Sequence, residues 1–126
     1  MPPMPTSYRD LDVWKCSMQL VAEVYRTTAK LPPDERFGLT SQLRRAAVSI
    51  PCNISEGYGR ATRGEYLNHL SMARGSLNEV ETLCHIARTL GMFDESALEP
   101  VSELIDRMLR MLGRLRKRLA EKKGPR

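Results

Sequence analysis

The stretch from Thr62 to Gly91, TRGEYLNHLSMARGSLNEVETLCHIARTLG, decides the fold class of this chain. Its apolar side chains recur at alternating steps of four and three residues, without interruption, at Tyr66, Leu70, Ala73, Leu77, Val80, Cys84 and Ala87. Residues at that spacing lie along one face of an α-helix and form a seam against neighbouring helices. The pattern therefore predicts a helix over about 63–90 that packs at shallow crossing angles.

The two ends of this stretch carry helix boundary signals. Thr62 and Glu65 have the spacing of a capping box, in which the threonine hydroxyl accepts an amide hydrogen and the glutamate reaches back. Gly91 follows the last periodic residue, where a glycine commonly ends a helix.

Two further helices are predicted before this one, over about 10–29 and 39–56. Asp10 is expected to cap the first. Pro51 lies inside the second and predicts a kink or break there, and Gly57 is expected to end it. The predicted core stripe of the first helix is Trp14, Met18, Val21 and Tyr25, widened by Val13, Leu20 and Val24. That of the second is Leu43, Ala47, Ile50 and Ile54.

A fourth helix is predicted over about 97–119. Its apolar residues repeat the alternation of the third helix, at Val101, Ile105, Met108, Leu112, Leu115 and Leu119. Ser96 and Glu99 form a second candidate capping box, and Pro100 is tolerable near a first turn.

Together these segments predict an all-α, up-down-up-down antiparallel four-helix bundle over 10–119. Residues 1–9 are assigned to an N-terminal extension and residues 120–126 to a basic disordered tail. No alternating, strand-like run bounded by hairpin turns is visible. The apolar faces of the first and fourth helices are wider than a small monomeric bundle needs, which predicts a homo-oligomer.

Composition limits the function classes. The chain has 126 residues, no apolar run long enough for a membrane span, and no secretory signal at its start, so a cytoplasmic protein is expected. The net charge is +5. Nine of the Lys and Arg residues fall between 107 and 126, against one Glu, which is compatible with a polyanionic partner.

Positive charge defines the candidate nucleic-acid site. Arginines at the glycine-bearing loop before the third helix could hold a phosphate, and those at the C-terminus could bind RNA through its backbone. Part of this charge is also ordinary helix capping, and the loop also fits a plain interhelical turn. The candidate residues are Arg60, Arg63, Arg114, Arg116, Lys117, Arg118, Lys122 and Lys123.

A second polar set is interpreted as structural or as part of a subunit interface. Arg44 and Arg45 sit in the middle of the second helix, and arginine pairs well with half-buried carboxylates. They are expected to tie that helix to the third helix or to a neighbouring subunit, with RNA contact as the alternative. The whole set is Gln42, Arg44, Arg45, Asn53, Glu56, Glu79 and Glu81.

Signals for catalysis are weak. The two histidines, His69 and His85, each follow a glutamate by four residues, but both pairs lie on one helix about 24 Å apart and cannot share a metal ion. Cys84 and His85 are adjacent and therefore point to different helix faces. No metal, no cofactor and no enzymatic activity are predicted.

Three segments carry a resemblance to a known family. YRDLDVW at 8–14, GLTSQLRRAAVSIPCNISEG at 38–57 and GSLNEVET at 75–82 resemble motifs of the four-helix-bundle proteins of the 23S rRNA intervening sequence. The likeness covers about residues 8–120. It implies a homopentamer, and a looser kinship with the accessory protein of diversity-generating retroelements, a basic pentamer that contacts a reverse transcriptase and RNA.

The resulting hypothesis is a non-enzymatic oligomer that binds RNA electrostatically and with low sequence selectivity. The alternative is a pentameric scaffold that docks a protein partner, such as a reverse transcriptase, with no direct role at nucleic acid.

Overall fold

The computed structural model describes residues 7–121, which form four long helices. These are α1 (Asp12–Thr28), α2 (Leu39–Tyr58), α3 (Arg63–Thr89) and α4 (Glu95–Glu121). Single turns of 3-10 helix at Tyr8–Asp10 and Pro33–Glu35 precede α1 and α2. No strand occurs in this part of the chain, and the predicted all-α class is confirmed.

The helices pack around a square in chain order, because each contacts its sequence neighbours and α1 closes on α4. Across α2 and α3, Ser49 meets Ser76 while the later residue Asn53 meets the earlier residue His69. This reversed pairing shows that the two helices are antiparallel. The connections at 29–38, 59–62 and 90–94 place each helix beside the next one.

The seam predicted for α3 forms the centre of the core. Leu70, Ala73, Leu77, Val80 and Ala87 are all fully buried. Complete burial of a Leu or Val side chain stabilises a fold by about 1.5–3 kcal/mol. The regular spacing in the sequence therefore corresponds to a row of side chains in the buried core of the bundle.

The core face of α1 differs from the stripe predicted for it. Met18 and Tyr25 are 44% and 42% exposed, and Trp14 and Val21 are only half-buried. The face of α1 that enters the core is instead Val13, Cys16, Ser17, Leu20 and Val24. The predicted stripe and the observed core face are both largely apolar and both have helical spacing. Spacing alone therefore did not distinguish them, and the predicted stripe was wrong for the centre of the core.

The cap of α1 also differs from the prediction. Asp10 belongs to the 3-10 turn, and α1 begins at Asp12 with Leu11 as its N-cap. The hydroxyl of Ser7 caps the 3-10 turn by accepting the Arg9 amide hydrogen. The short turn separates Asp10 from the α-helix that it was expected to cap.

Side-chain caps begin the last two helices. The Thr62 hydroxyl accepts the Glu65 amide hydrogen at 3.1 Å, as predicted for α3. At α4 the cap is Asp94 rather than Ser96, because its carboxylate accepts hydrogens from the Ala97 amide at 2.9 Å and the Ser96 hydroxyl at 2.8 Å. These bonds lower the pKa of Asp94, since they favour the charged carboxylate.

Helix α2 runs unbroken through Pro51 and beyond Gly57 to Tyr58, so a break at the proline is excluded. Gly57 lies inside the helix instead of ending it. A Cβ atom there would lie 2.8 Å from the Cβ of His69 and 3.0 Å from Cδ1 of Tyr66. Gly57 is therefore the point where α2 and α3 approach most closely at this end of the bundle.

Candidate nucleic-acid interface

The predicted basic residues converge on one end of the bundle. This basic end consists of the loop before α3 and the last turns of α4. Arg63, at the start of α3, donates from Nη1 to the Leu119 carbonyl at 3.3 Å and so joins the two segments. Two of the predicted residues, Lys122 and Lys123, lie outside the described residues.

The cations at this end divide into two groups by their contacts. Four of them are exposed and make no hydrogen bond or ion pair within residues 7–121: Arg60, Arg114, Lys117 and Arg118. In contrast, Arg63 and Arg116 are half-buried and hold α4 against α3, the latter through a 3.2 Å bond to the Ser71 hydroxyl. The first group is available for a ligand, whereas the second is engaged in packing.

Charge is segregated along α4. Its first half carries four of its five acidic residues, Glu95, Glu99, Glu103 and Asp106, and its second half carries Arg107, Arg110, Arg114, Arg116, Lys117 and Arg118 with Glu121 as the last residue. Acidic side chains near a helix N-terminus and basic ones near its C-terminus are both favoured by the helix dipole. The same arrangement concentrates the positive charge of α4 at the basic end of the bundle.

Two carboxylates reduce the basic potential on the α1 side. Asp10 and Asp12 share a shallow hollow of about 370 Å³ with Arg114 and Arg118. A second shallow hollow on α4 is lined by Arg114, Lys117 and Arg118 with a single carboxylate, that of Glu121.

Aromatic rings at the basic end pack against one another. Tyr58 and Tyr66 form an edge-to-face pair with centroids 6.2 Å apart, and Tyr8 and Trp14 form another at 5.4 Å. Burial raises the pKa of Tyr66, and the neighbouring Tyr58 adds to the rise, while Arg118 opposes it. These rings are half-buried parts of the bundle and do not form an open stacking platform.

Arg44 has a different structural role from the one predicted. Its Nε donates to the Thr28 hydroxyl at 2.9 Å, its Nη2 donates to the Tyr25 carbonyl at 3.3 Å, and its guanidinium lies 4.4 Å from the Tyr25 ring centroid. It therefore ties α2 to α1 rather than to α3. Arg45 is exposed and makes no hydrogen bond or ion pair in the described part of the chain.

A polar cluster links α2 to α3. Asn53 donates from Nδ2 to the Ser49 carbonyl at 2.9 Å, and its Oδ1 lies 3.1 Å from Nδ1 of His69. The Glu56 carboxylate is 3.5 Å from the same nitrogen. The sequence interpretation included Asn53 and Glu56 but left out His69, although its position on α3 opposite Asn53 follows from the antiparallel pairing.

The other members of the predicted structural set lie at the surface. Gln42 and Glu79 are exposed, and Glu81 is half-buried close to Cys84. None of the three forms a hydrogen bond or ion pair within residues 7–121.

The adjacent Cys84 and His85 do not form a nucleophile pair. Burial raises the pKa of the Cys84 thiol to about 11, with a further contribution from Glu81, so the thiol is protonated at neutral pH. His85 accepts a hydrogen bond at Nδ1 from Arg88 at 3.0 Å. Among the described residues, no group of three or more potential ligands could hold a metal ion.

Within residues 7–121, none of the helices has the length and apolar character needed to cross a membrane.

Comparisons with known proteins agree with the four-helix fold. No curated protein matches the chain. A crystal structure of a protein of unknown function from the S23 ribosomal protein family of Bacteroides thetaiotaomicron superimposes with a TM-score of 0.74 at 19% identity. The likeness covers 83% of this chain and 98% of that one, and it shows a common fold. Residues 9–114 match the sequence family described as 23S rRNA-intervening sequence protein, and the chain therefore belongs to that family.

Proposed function

We propose that this protein is a non-catalytic, cytoplasmic homo-oligomer that binds RNA electrostatically, with low sequence selectivity, through its basic end. The observation that carries the proposal is the group of exposed cations at that end that make no hydrogen bond or ion pair within residues 7–121, namely Arg60, Arg114, Lys117 and Arg118. Exposed cations that form no ion pair among the described residues are available to displace counterions from a phosphate backbone.

Low selectivity follows from the chemistry of the surface. Arginine and lysine contacts to phosphate position a protein on nucleic acid but carry no sequence information. Reading single-stranded RNA requires exposed aromatic platforms or side chains aimed at base edges. The rings at the basic end are half-buried in edge-to-face pairs, so phosphate contacts dominate.

Assembly would strengthen such binding. Five copies of a chain with net charge +5 carry a total of +25, and a ring would present several basic ends to one RNA. The exposed apolar residues Met18, Tyr25 and Val48 support self-association, because contiguous apolar surface on a small protein commonly marks an interface. The homopentamer implied by the family resemblance is part of this proposal.

A second candidate function is a scaffold that docks a protein partner, such as a reverse transcriptase. The apolar hollow of about 370 Å³ between α1 and α2, lined in part by Trp14, Met18 and Val48, is the observation that favours it. In this alternative the basic end serves the partner rather than RNA.

The test compares two double variants that remove the same charge from opposite ends of the bundle. Arg114→Gln with Lys117→Gln neutralises the basic end. Arg26→Gln with Lys30→Gln, at the C-terminal end of α1, is the matched control. Affinity for a structured RNA and for a random RNA of equal length is measured across a salt series.

We expect the wild-type protein to bind both RNAs similarly, with affinity that falls steeply as salt increases. The variant at the basic end should bind more weakly. The slope of log K against log salt should decrease in magnitude by roughly 0.7–0.9 for each phosphate group that the variant no longer neutralises, while the control keeps most of the wild-type slope. Equal losses of affinity in both variants would reject the basic end as the site, and no binding at low salt would reject RNA binding.

A further inference from the structure

The exposed large apolar side chains fall on two separate surfaces of the described bundle. One, the α1–α2 surface, contains Met18, Tyr25, Phe37 and Val48. The other, the α3 ridge, contains Met72, Ile86 and Leu90. The two surfaces share no residue.

The α1–α2 surface is concave. Two adjoining hollows lie along it, one of about 370 Å³ between Trp14 and Cys52 and one of about 490 Å³ beside Tyr25 and Phe37. Val48 lines both hollows, so they form one continuous groove. A groove of this shape accommodates the side chains of a packed helix.

The charge of this groove is positive. Arg36, Arg44 and Arg45 line its second hollow, together with the hydroxyls of Thr40 and Ser41 and without a carboxylate. A matching surface should therefore be apolar and carry negative charge.

The α3 ridge has both properties. Met72, Glu79 and Ile86 recur at steps of seven residues, and Leu90 follows four residues later, so they share one side of the helix. At 1.5 Å per residue the ridge is about 27 Å long. Glu79 is exposed near its middle, and no hydrogen bond or ion pair engages it within residues 7–121.

From this complementarity we propose that the α3 ridge of one copy packs into the α1–α2 groove of the next copy. The inference rests on the proposed self-association and specifies which surfaces meet. Apolar side chains of the ridge fill the hollows, and Glu79 lies near the arginines of the groove. Since the two surfaces differ, the contact is head-to-tail, and repeating it closes a ring when the rotation allows.

The test uses one substitution on each surface. Val48 and Ile86 are 39% and 40% exposed, so Val48→Glu and Ile86→Glu place a carboxylate at matched positions without burying it in the protomer. Arg110→Glu puts the same side chain on the exposed side of α4, away from both surfaces, and is the control. Mass is measured by light scattering during gel filtration, over a concentration series, for each variant alone and for a mixture of the two.

We expect the wild-type protein and the Arg110 control to assemble, and each surface variant alone to be a folded monomer. The equimolar mixture should give a one-to-one heterodimer. In that pair the intact groove of the Ile86 variant receives the intact ridge of the Val48 variant, and no further subunit can add.

Each remaining outcome has a definite meaning. A monomeric wild-type protein would reject the proposed self-association and this pairing with it. Assembly of wild type, with a mixture that stays monomeric, would overturn the pairing alone. Loss of assembly in the Val48 variant only would indicate a symmetric contact between two α1–α2 grooves, which also overturns it.

Discussion

The seam of α3 and the stripe on α1 from Trp14 to Tyr25 have the same helical spacing in the sequence and opposite positions in the structure. Leu77, in the seam, is completely buried, whereas Met18, in the stripe, is nearly half exposed. Periodicity shows that a helix has an apolar face, but it does not show what covers that face. The other helices of the bundle pack against the α3 seam. We propose that another copy of the chain packs against the α1 stripe.

The largest expected effect comes from placing a charge in each of the two rows. Leu77→Asp should destabilise the protomer by more than about 4 kcal/mol, because it removes a packed side chain and leaves an unpaired buried carboxylate. Met18→Asp should change the free energy of unfolding of the protomer, measured at protein concentrations too low for assembly, by less than about 1 kcal/mol. Urea titration followed by far-UV circular dichroism measures both, and similar losses of stability would contradict the difference between the rows.

A smaller effect on stability distinguishes a glycine at a close helix contact from a glycine beside open space. Gly57→Ala should destabilise the protein by about 1–3 kcal/mol, since the new methyl group would meet His69 and Tyr66 on α3. Gly113→Ala, on α4, meets no atom within 4 Å and should stabilise its helix by about 0.5–1 kcal/mol. Thermal unfolding of the two variants should shift in opposite directions, and a shared direction would refute the close approach at Gly57.

The smallest effect depends on pH. The Cys84 thiol has an ordinary pKa of 9.0 and one of about 11 in the folded protein. The folded state therefore holds this proton more tightly, and the resulting stability is complete below pH 9 and is lost as the pH rises from 9 to 11.

The decline should reach at most about 1.4 kcal/mol per pH unit. Cys84→Ala lacks the thiol, so its free energy of unfolding should fall less steeply over this interval than that of the wild type. Chemical denaturation at several pH values measures the two slopes, and equal slopes would show that the thiol is not responsible.

The structural features that depend on local sequence were predicted with the most success. The capping box at Thr62 and the seam from Leu70 to Ala87 depend only on residues within one helix, and both are present in the structure. The caps predicted at Asp10 and Ser96 were wrong for two different reasons. At α4, Asp94 begins the helix, and a 3-10 turn before α1 removes Asp10 from its start.

The sequence predicted which residues belong to the candidate site better than it predicted how they are arranged. The basic residues were visible in the sequence, but the division between exposed Lys117 and half-buried Arg63 depends on contacts across helices. Arg44 was predicted to contact α3 or another subunit, because the sequence of α2 alone does not show which helix lies beside this side chain. Its actual partners, Thr28 and the carbonyl of Tyr25, are far away in the sequence.

The sequence by itself determined four amphipathic helices, their approximate limits, the excess of positive charge towards the C-terminus and the family. These depend on spacing along the chain, on local backbone chemistry and on composition. Only the tertiary structure decided which apolar rows are buried and which cations are free. Both depend on the rotation of each helix about its own axis, and this rotation is fixed by the packing of all four helices together.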